Sequence, residues 1–135
     1  MYYAQKFNLK KLDIIKSSLG IFSKHYALYL GSYLGNELIA ENHNIEGVRI
    51  ILASQYFFEH SEIDEIRRFS GSTYQEDLAI QRLKKLVGTP YNLITYNCEH
   101  FVNEVLYGRS ESIQVKNAVG LLALGMFCYG LSKIK

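Results

Sequence analysis

The chain has 135 residues, of which 48% are hydrophobic and 13% aromatic, a size and composition that fit one domain with a core of its own. Its net charge of +2 is too small to point to nucleic acid, and no basic stripe with interleaved aromatics is present. It has no C-x-x-C pairs, no H-E-x-x-H and no phosphate-binding glycine loop, so neither a metal nor a cofactor is expected. There are two cysteines and no recognisable signal peptide, which leads us to expect a reducing, cytoplasmic compartment.

Taken in chain order, residues 12–16 read as a first short strand. Residues 25–31, aromatic and aliphatic with His25 at the start, read as a second. A turn over 32–36 leads to a third strand over 37–41, antiparallel to the second. Gly47 then punctuates the turn before a β-branched fourth strand over 48–52. Residues 55–59 read as a helical turn. In 62–69 the apolar residues Ile63, Ile66 and Phe69 recur at every third position, a spacing that leaves helix and strand open. Thr73-Tyr74-Gln75-Glu76 is a capping-box pattern that opens a helix, with Leu78, Ala79, Leu83, Leu86 and Val87 on its buried side and Gly88 and Pro90 after its end.

The most informative run is Asn97-Cys98-Glu99-His100-Phe101-Val102. Asn97 is a good N-cap and Gly108 a good stop, so a helix is expected from Cys98 to about Tyr107. Its apolar stripe is Phe101, Val102, Val105 and Leu106, and Cys98 lies on that same face. A cysteine in the first turn of a helix meets the positive end of the helix dipole, which favours thiolate, the nucleophilic form. Cysteine is also a common small core residue, so position alone leaves both readings open. A histidine on a strand supplies the base that a nucleophile needs.

At these two segments the chain resembles the lecithin retinol acyltransferase-like family, whose hallmarks are an H-x-x-x-Y-x-G strand and an N-C-E-H-F helix start. They stand here as His25 to Gly31 and Asn97 to Phe101, and the likeness extends over roughly residues 12–117. The resemblance implies an α+β fold, an antiparallel sheet packed against helices in a circularly permuted papain-like arrangement, with the catalytic cysteine at a helix N-terminus. The order His25 before Cys98 agrees with the permutation. The resemblance also favours a strand over 62–69.

What it implies chemically is a thiol enzyme. His25 takes the proton of Cys98, the thiolate attacks an acyl carbonyl, and backbone N–H groups at the helix start stabilise the oxyanion. In the family the third position, which orients the histidine, ends the next strand and is often a histidine. Aligning Leu38-Ile39-Ala40-Glu41-Asn42-His43 puts Glu41 there, with Asn42 and His43 as shifts by one and two. His100 projects from nearly the opposite side of the helix to Cys98 and is read as structural. His60 is read as solvated in a polar loop, His43 as a turn residue, and Tyr91 as packing beside the substrate mouth.

Residues 118–131 form an uninterrupted run of fourteen apolar residues, with Lys116 before it and Lys133 and Lys135 behind. This divides the chain into a thiol acyltransferase/hydrolase domain over 1–117 and a tail over 118–135. The run is short for a membrane span, so a docking helix, an interfacial segment and a marginal anchor all remain open. Cys128 lies within it, and a disulfide to Cys98 would consume the proposed nucleophile. The expected substrate is a lipid or other acyl compound, handled by a phospholipid acyltransferase or phospholipase. Two further readings are a cysteine amidase or peptidase of the same superfamily and a non-catalytic, membrane-associated interaction protein.

Overall fold

The computed structural model describes residues 2–18 and 24–117. The hydrophobic run over 118–131, with Cys128, lies outside them. No helix among the described residues is long and apolar enough to cross a membrane.

A five-stranded antiparallel sheet organises the fold. Its strands are β1 (Ile14–Ser18), β2 (Lys24–Tyr33), β3 (Asn36–His43), β4 (Gly47–Leu52) and β5 (Ile63–Arg67), in the order β4-β3-β2-β1-β5. Among the described residues the helices are α1 (Tyr3–Phe7), α2 (Ala53–Glu59), α3 (Thr73–Leu86) and α4 (Cys98–Tyr107), and residues 113–117 are helical as well. Strand side chains alternate between faces, and here both faces are covered. On one, Tyr26, Leu28, Ala40 and Val48 pack against Phe101, Val102, Val105 and Leu106 of α4 and Ala79 and Leu83 of α3. On the other, Ile15, Ala27, Tyr29 and Ile39 pack against Ala53 and Tyr56 of α2. The expected stripe of α4 is thus buried along its whole length, and truncating Phe101 at its centre would cost about 3–5 kcal/mol.

Several boundaries differ from the sequence expectation. Strand β1 begins at Ile14, because Leu12 takes a left-handed φ of 70° and turns the chain just before it. The β2–β3 connection is tighter than the expected 32–36 turn. Both strands run on until only Leu34 and Gly35 remain between them, with φ values of 50° and 82°, the double positive φ of a two-residue hairpin matched to strand twist. Gly47 belongs to β4. Its φ is 75°, and a Cβ there would come within 2.3 Å of the Thr89 carbonyl oxygen, so only glycine fits.

Residues 63–67 pair with β1, which resolves the ambiguous segment as a strand. Helix α3 is capped by Ser72 rather than Thr73: Ser72 Oγ accepts from the Gln75 amide at 3.2 Å, and Gln75 Oε1 accepts from the Ser72 amide at 2.8 Å. Val87, expected on the buried side, is the C-cap and is exposed. Helix α1 was not anticipated. Its Tyr3 and Ala4 amides each donate at 2.8 Å to the carboxylate of Glu37, a partner more than thirty residues away.

Candidate active site

Asn97 builds the start of α4. Its Oδ1 accepts from the Glu99 and His100 amides at 2.9 and 3.2 Å, and its own amide donates to His100 Nδ1 at 3.0 Å. His100 closes this capping box as a neutral acceptor, its pKa lowered by burial. The Phe101 amide donates to the Asn97 carbonyl. These bonds occupy the amides of Asn97, Glu99, His100 and Phe101 and, among the described residues, leave that of Cys98 at the helix mouth.

Cys98 is a buried free thiol within the α4 core. It donates to the Lys24 carbonyl oxygen at 3.6 Å, at the point where β2 begins. Lys24 is also held through its own amide, which donates to Gln114 Oε1 at 3.2 Å. Gln114 is in turn tied by its amide to the buried Glu99 carboxylate at 3.0 Å, which also accepts from Ser112 Oγ at 2.7 Å. Sequence reasoning missed this Glu99–Ser112–Gln114 brace, since it joins α4 to chain beyond it and no local pattern announces such a contact.

His25, one residue into β2, lies on the opposite face of the sheet from α4, in register with Ala27 and Tyr29. Its ring meets Glu41 through Nε2···Oε1 at 2.7 Å. The other carboxylate oxygen accepts from Arg49 Nε at 2.9 Å and Nη2 at 2.7 Å, with Arg49 directly across the strand pair from Glu41. Burial opposes charge on His25, yet hydrogen bonding and electrostatic interaction with Cys98 and Glu41 push its pKa up to about 9. Burial likewise works against the Glu41 carboxylate, but His25 first and Arg49 second hold it at about 2. Glu41 is therefore an anion beneath an imidazolium.

Neither alternative to Glu41 sits there. Asn42 points to the other face, where Nδ2 donates to the carbonyls of Tyr96 and Asn97 at 2.9 and 3.2 Å and ties β3 to the residues before Cys98. His43 Nδ1 accepts from the Ile45 and Glu46 amides, as a turn residue does. Tyr91 is half-buried, and its hydroxyl pKa is raised by burial and by Cys98 nearby. His60 corrects the expectation of a solvated residue: its side chain is only 13% exposed and stacks on the His25 ring, with centroids 4.5 Å apart. A lone histidine in a polar stretch carries no local signal of such a contact.

Side-chain atoms of His25, Glu41 and His60 lie within 4.8 Å of one another, a grouping that in principle suits a metal ion. The charges argue otherwise. Both Glu41 oxygens are occupied, and the imidazolium and the Arg49 guanidinium already balance the carboxylate.

Residues 8–111 match the lecithin retinol acyltransferase family. The chain is similar to phospholipase A and acyltransferase 3 of Mus musculus, 47% identical over 66 residues that cover 42% of this chain and 41% of that protein. It is also similar to the human phospholipase A and acyltransferase 2, 52% identical over 42 residues (30% of this chain and 26% of that protein). Human phospholipase A and acyltransferase 5 is 51% identical over 45 residues, covering 32% of this chain and 16% of its own. The matched stretches span less than half the length of these curated relatives.

Proposed function

The chain belongs to the lecithin retinol acyltransferase family, and from that premise we propose that it is a cysteine-dependent phospholipid acyltransferase or phospholipase in which Cys98 is the nucleophile, His25 the base and Glu41 the residue that orients it. The observation that carries this is the 2.7 Å Glu41–His25 contact, made by an imidazole whose pKa is raised by interaction with Cys98 as well as Glu41. The names of the relatives supply the substrate class.

The Cys98 sulfur attacks the ester carbonyl carbon, and its proton rests on His25. Negative charge builds on the carbonyl oxygen, and the Cys98 amide, left over by the capping box, is the donor placed to receive it. The carbon–oxygen ester bond then breaks, and the imidazolium gives its proton to the departing lysophospholipid oxygen. A thioester remains on Cys98. Water, or the hydroxyl or amine of an acceptor, attacks it while His25 takes the incoming proton, and the thiol is regenerated. Throughout, Glu41 keeps the ring oriented and stabilises its charged form without itself being protonated.

The order His25 before Cys98, on an antiparallel sheet backed by the cysteine helix, supports a circularly permuted papain-like arrangement. We take residues 1–117 as the thiol domain. The apolar run over 118–131, with its flanking lysines, supports contact with a lipid surface.

The test is intact-mass analysis after incubation with phosphatidylcholine vesicles. The expected result is a mass gain of one acyl group, mapped to Cys98. Cys98→Ala is expected to lose both the adduct and turnover, by at least about a thousandfold. Turnover retained in Cys98→Ala would end the reading.

A further inference from the structure

The mechanism above leaves one group beside His25 without a role. Helix α2 ends at Glu59, and His60 caps it, its amide donating to the Tyr56 carbonyl at 2.8 Å. This turn lays the His60 ring flat on that of His25, with centroids 4.5 Å apart and planes within 5° of parallel. Tyr56 backs His60 in turn, at 4.5 Å between centroids, and is anchored by a 2.8 Å hydrogen bond between its hydroxyl and Ser17 Oγ. His60 Nε2 stands 3.8 Å from the same Glu41 oxygen that holds His25, too far for a hydrogen bond. Its principal contact with the site is therefore its ring face.

A hydrogen bond from one ring nitrogen fixes a direction but leaves the ring free to tilt about that line. A flat neighbour removes the tilt. We propose that His60 is a positioning residue whose ring, stacked on His25, sets the plane in which one imidazole nitrogen meets Glu41 and the other meets Cys98. This rests on the reading of Cys98 and His25 as a working pair, and His60 acts through His25 alone. The electrostatics agree, since burial first and the charge of His25 second lower the pKa of His60 and keep it neutral. A neutral π-face against a cation attracts, whereas two stacked imidazolium rings would repel.

The test is the rate of alkylation of Cys98 by iodoacetamide, followed on the Cys98 peptide so that Cys128 does not interfere, across a pH series in the full chain. His60→Ala removes the ring and is expected to slow alkylation at neutral pH about tenfold, the scale of one lost aromatic stack that had held a reactive geometry. His60→Phe restores a flat ring without nitrogens. It should stay within about twofold of the parent and keep the shape of the pH profile. His60→Gln, polar but not flat, should follow the alanine variant.

Parent-like rates in His60→Ala, or rescue by Gln and not by Phe, would overturn the proposal. If His60→Ala does not melt cooperatively, the Phe and Gln variants decide it alone. His25→Ala in the same series separates the two readings. A slow His25→Ala beside a fast His60→Ala rejects only the role of His60, whereas a fast His25→Ala rejects the Cys98–His25 pair and this proposal with it.

Discussion

The two ends of β3 carry the same side chain on the same face, and they use it differently. Glu37 and Glu41 are four residues apart and both buried. Glu37 meets neutral donors, the Tyr3 and Ala4 amides and the Tyr29 hydroxyl, each at 2.8 Å. Glu41 meets the His25 imidazole and the Arg49 guanidinium. At one end the carboxylate docks a short helix, and at the other it sustains an opposite charge in the interior. Burial of a carboxylate thus says little about its task. The partners decide it, and charged partners make their own removal far more costly than neutral ones do.

The sharpest test of this contrast is Glu41→Ala, which leaves the His25 imidazolium buried without its carboxylate, while Arg49 keeps Glu46 and Glu59, and should cost about 3–5 kcal/mol in urea melts. Its pH dependence is specific. The pKa of His25 is raised from 6.5 to about 9, so the stability it contributes is complete below pH 6.5 and lost as pH rises through 9. Glu41 is lowered from 4.5 to about 2, so its contribution is complete above pH 4.5 and lost as pH falls through 2. The penalty for Glu41→Ala should therefore be greatest between pH 4.5 and 6.5 and shrink on either side. A penalty that is flat with pH would show that the charge on His25 plays no part.

Glu37→Ala is expected to cost less, about 1–3 kcal/mol, for the donors it leaves unpaired. Its effect should be local: faster hydrogen exchange at Tyr3 and Ala4, with Cys98 alkylation unchanged. Slowed alkylation would mean that the two ends of β3 are coupled. The smallest effect belongs to Glu46→Gln. Glu46 also reaches Arg49, at 2.9 Å, but its side chain is 63% exposed. A pair so open to water contributes at most about 1 kcal/mol, and the melt should hardly move.

The same contrast explains what the sequence alone revealed. Helix α4 was legible in full because its Asn97 cap, apolar spacing and Gly108 stop are all local signals. Glu41 was singled out only by aligning Leu38 to His43 with the family's third position, which left Asn42 and His43 open, and the contact with His25 depends on the pairing of β3 with β2. Helix α1 was not legible, because five residues hold as a helix only through Glu37, far along the chain. Ser72 and Thr73 both stand three residues before a Gln or Glu, and no local rule chooses between them. His60 was misjudged for a related reason: its sequence neighbours are polar, whereas its neighbours in space are two aromatic rings and a buried anion.

Glu41 and Asn42 are consecutive residues that serve opposite sides of one sheet. The first hydrogen-bonds the His25 ring, and the second ties down the backbone that leads into the cysteine. A slip of β3 by a single residue would exchange their faces and undo both at once. Half-assembled chains with a misregistered hairpin would accordingly carry a thiol no more reactive than that of a free amino acid. The reactivity of the thiol is thereby made to depend on the register of a single strand.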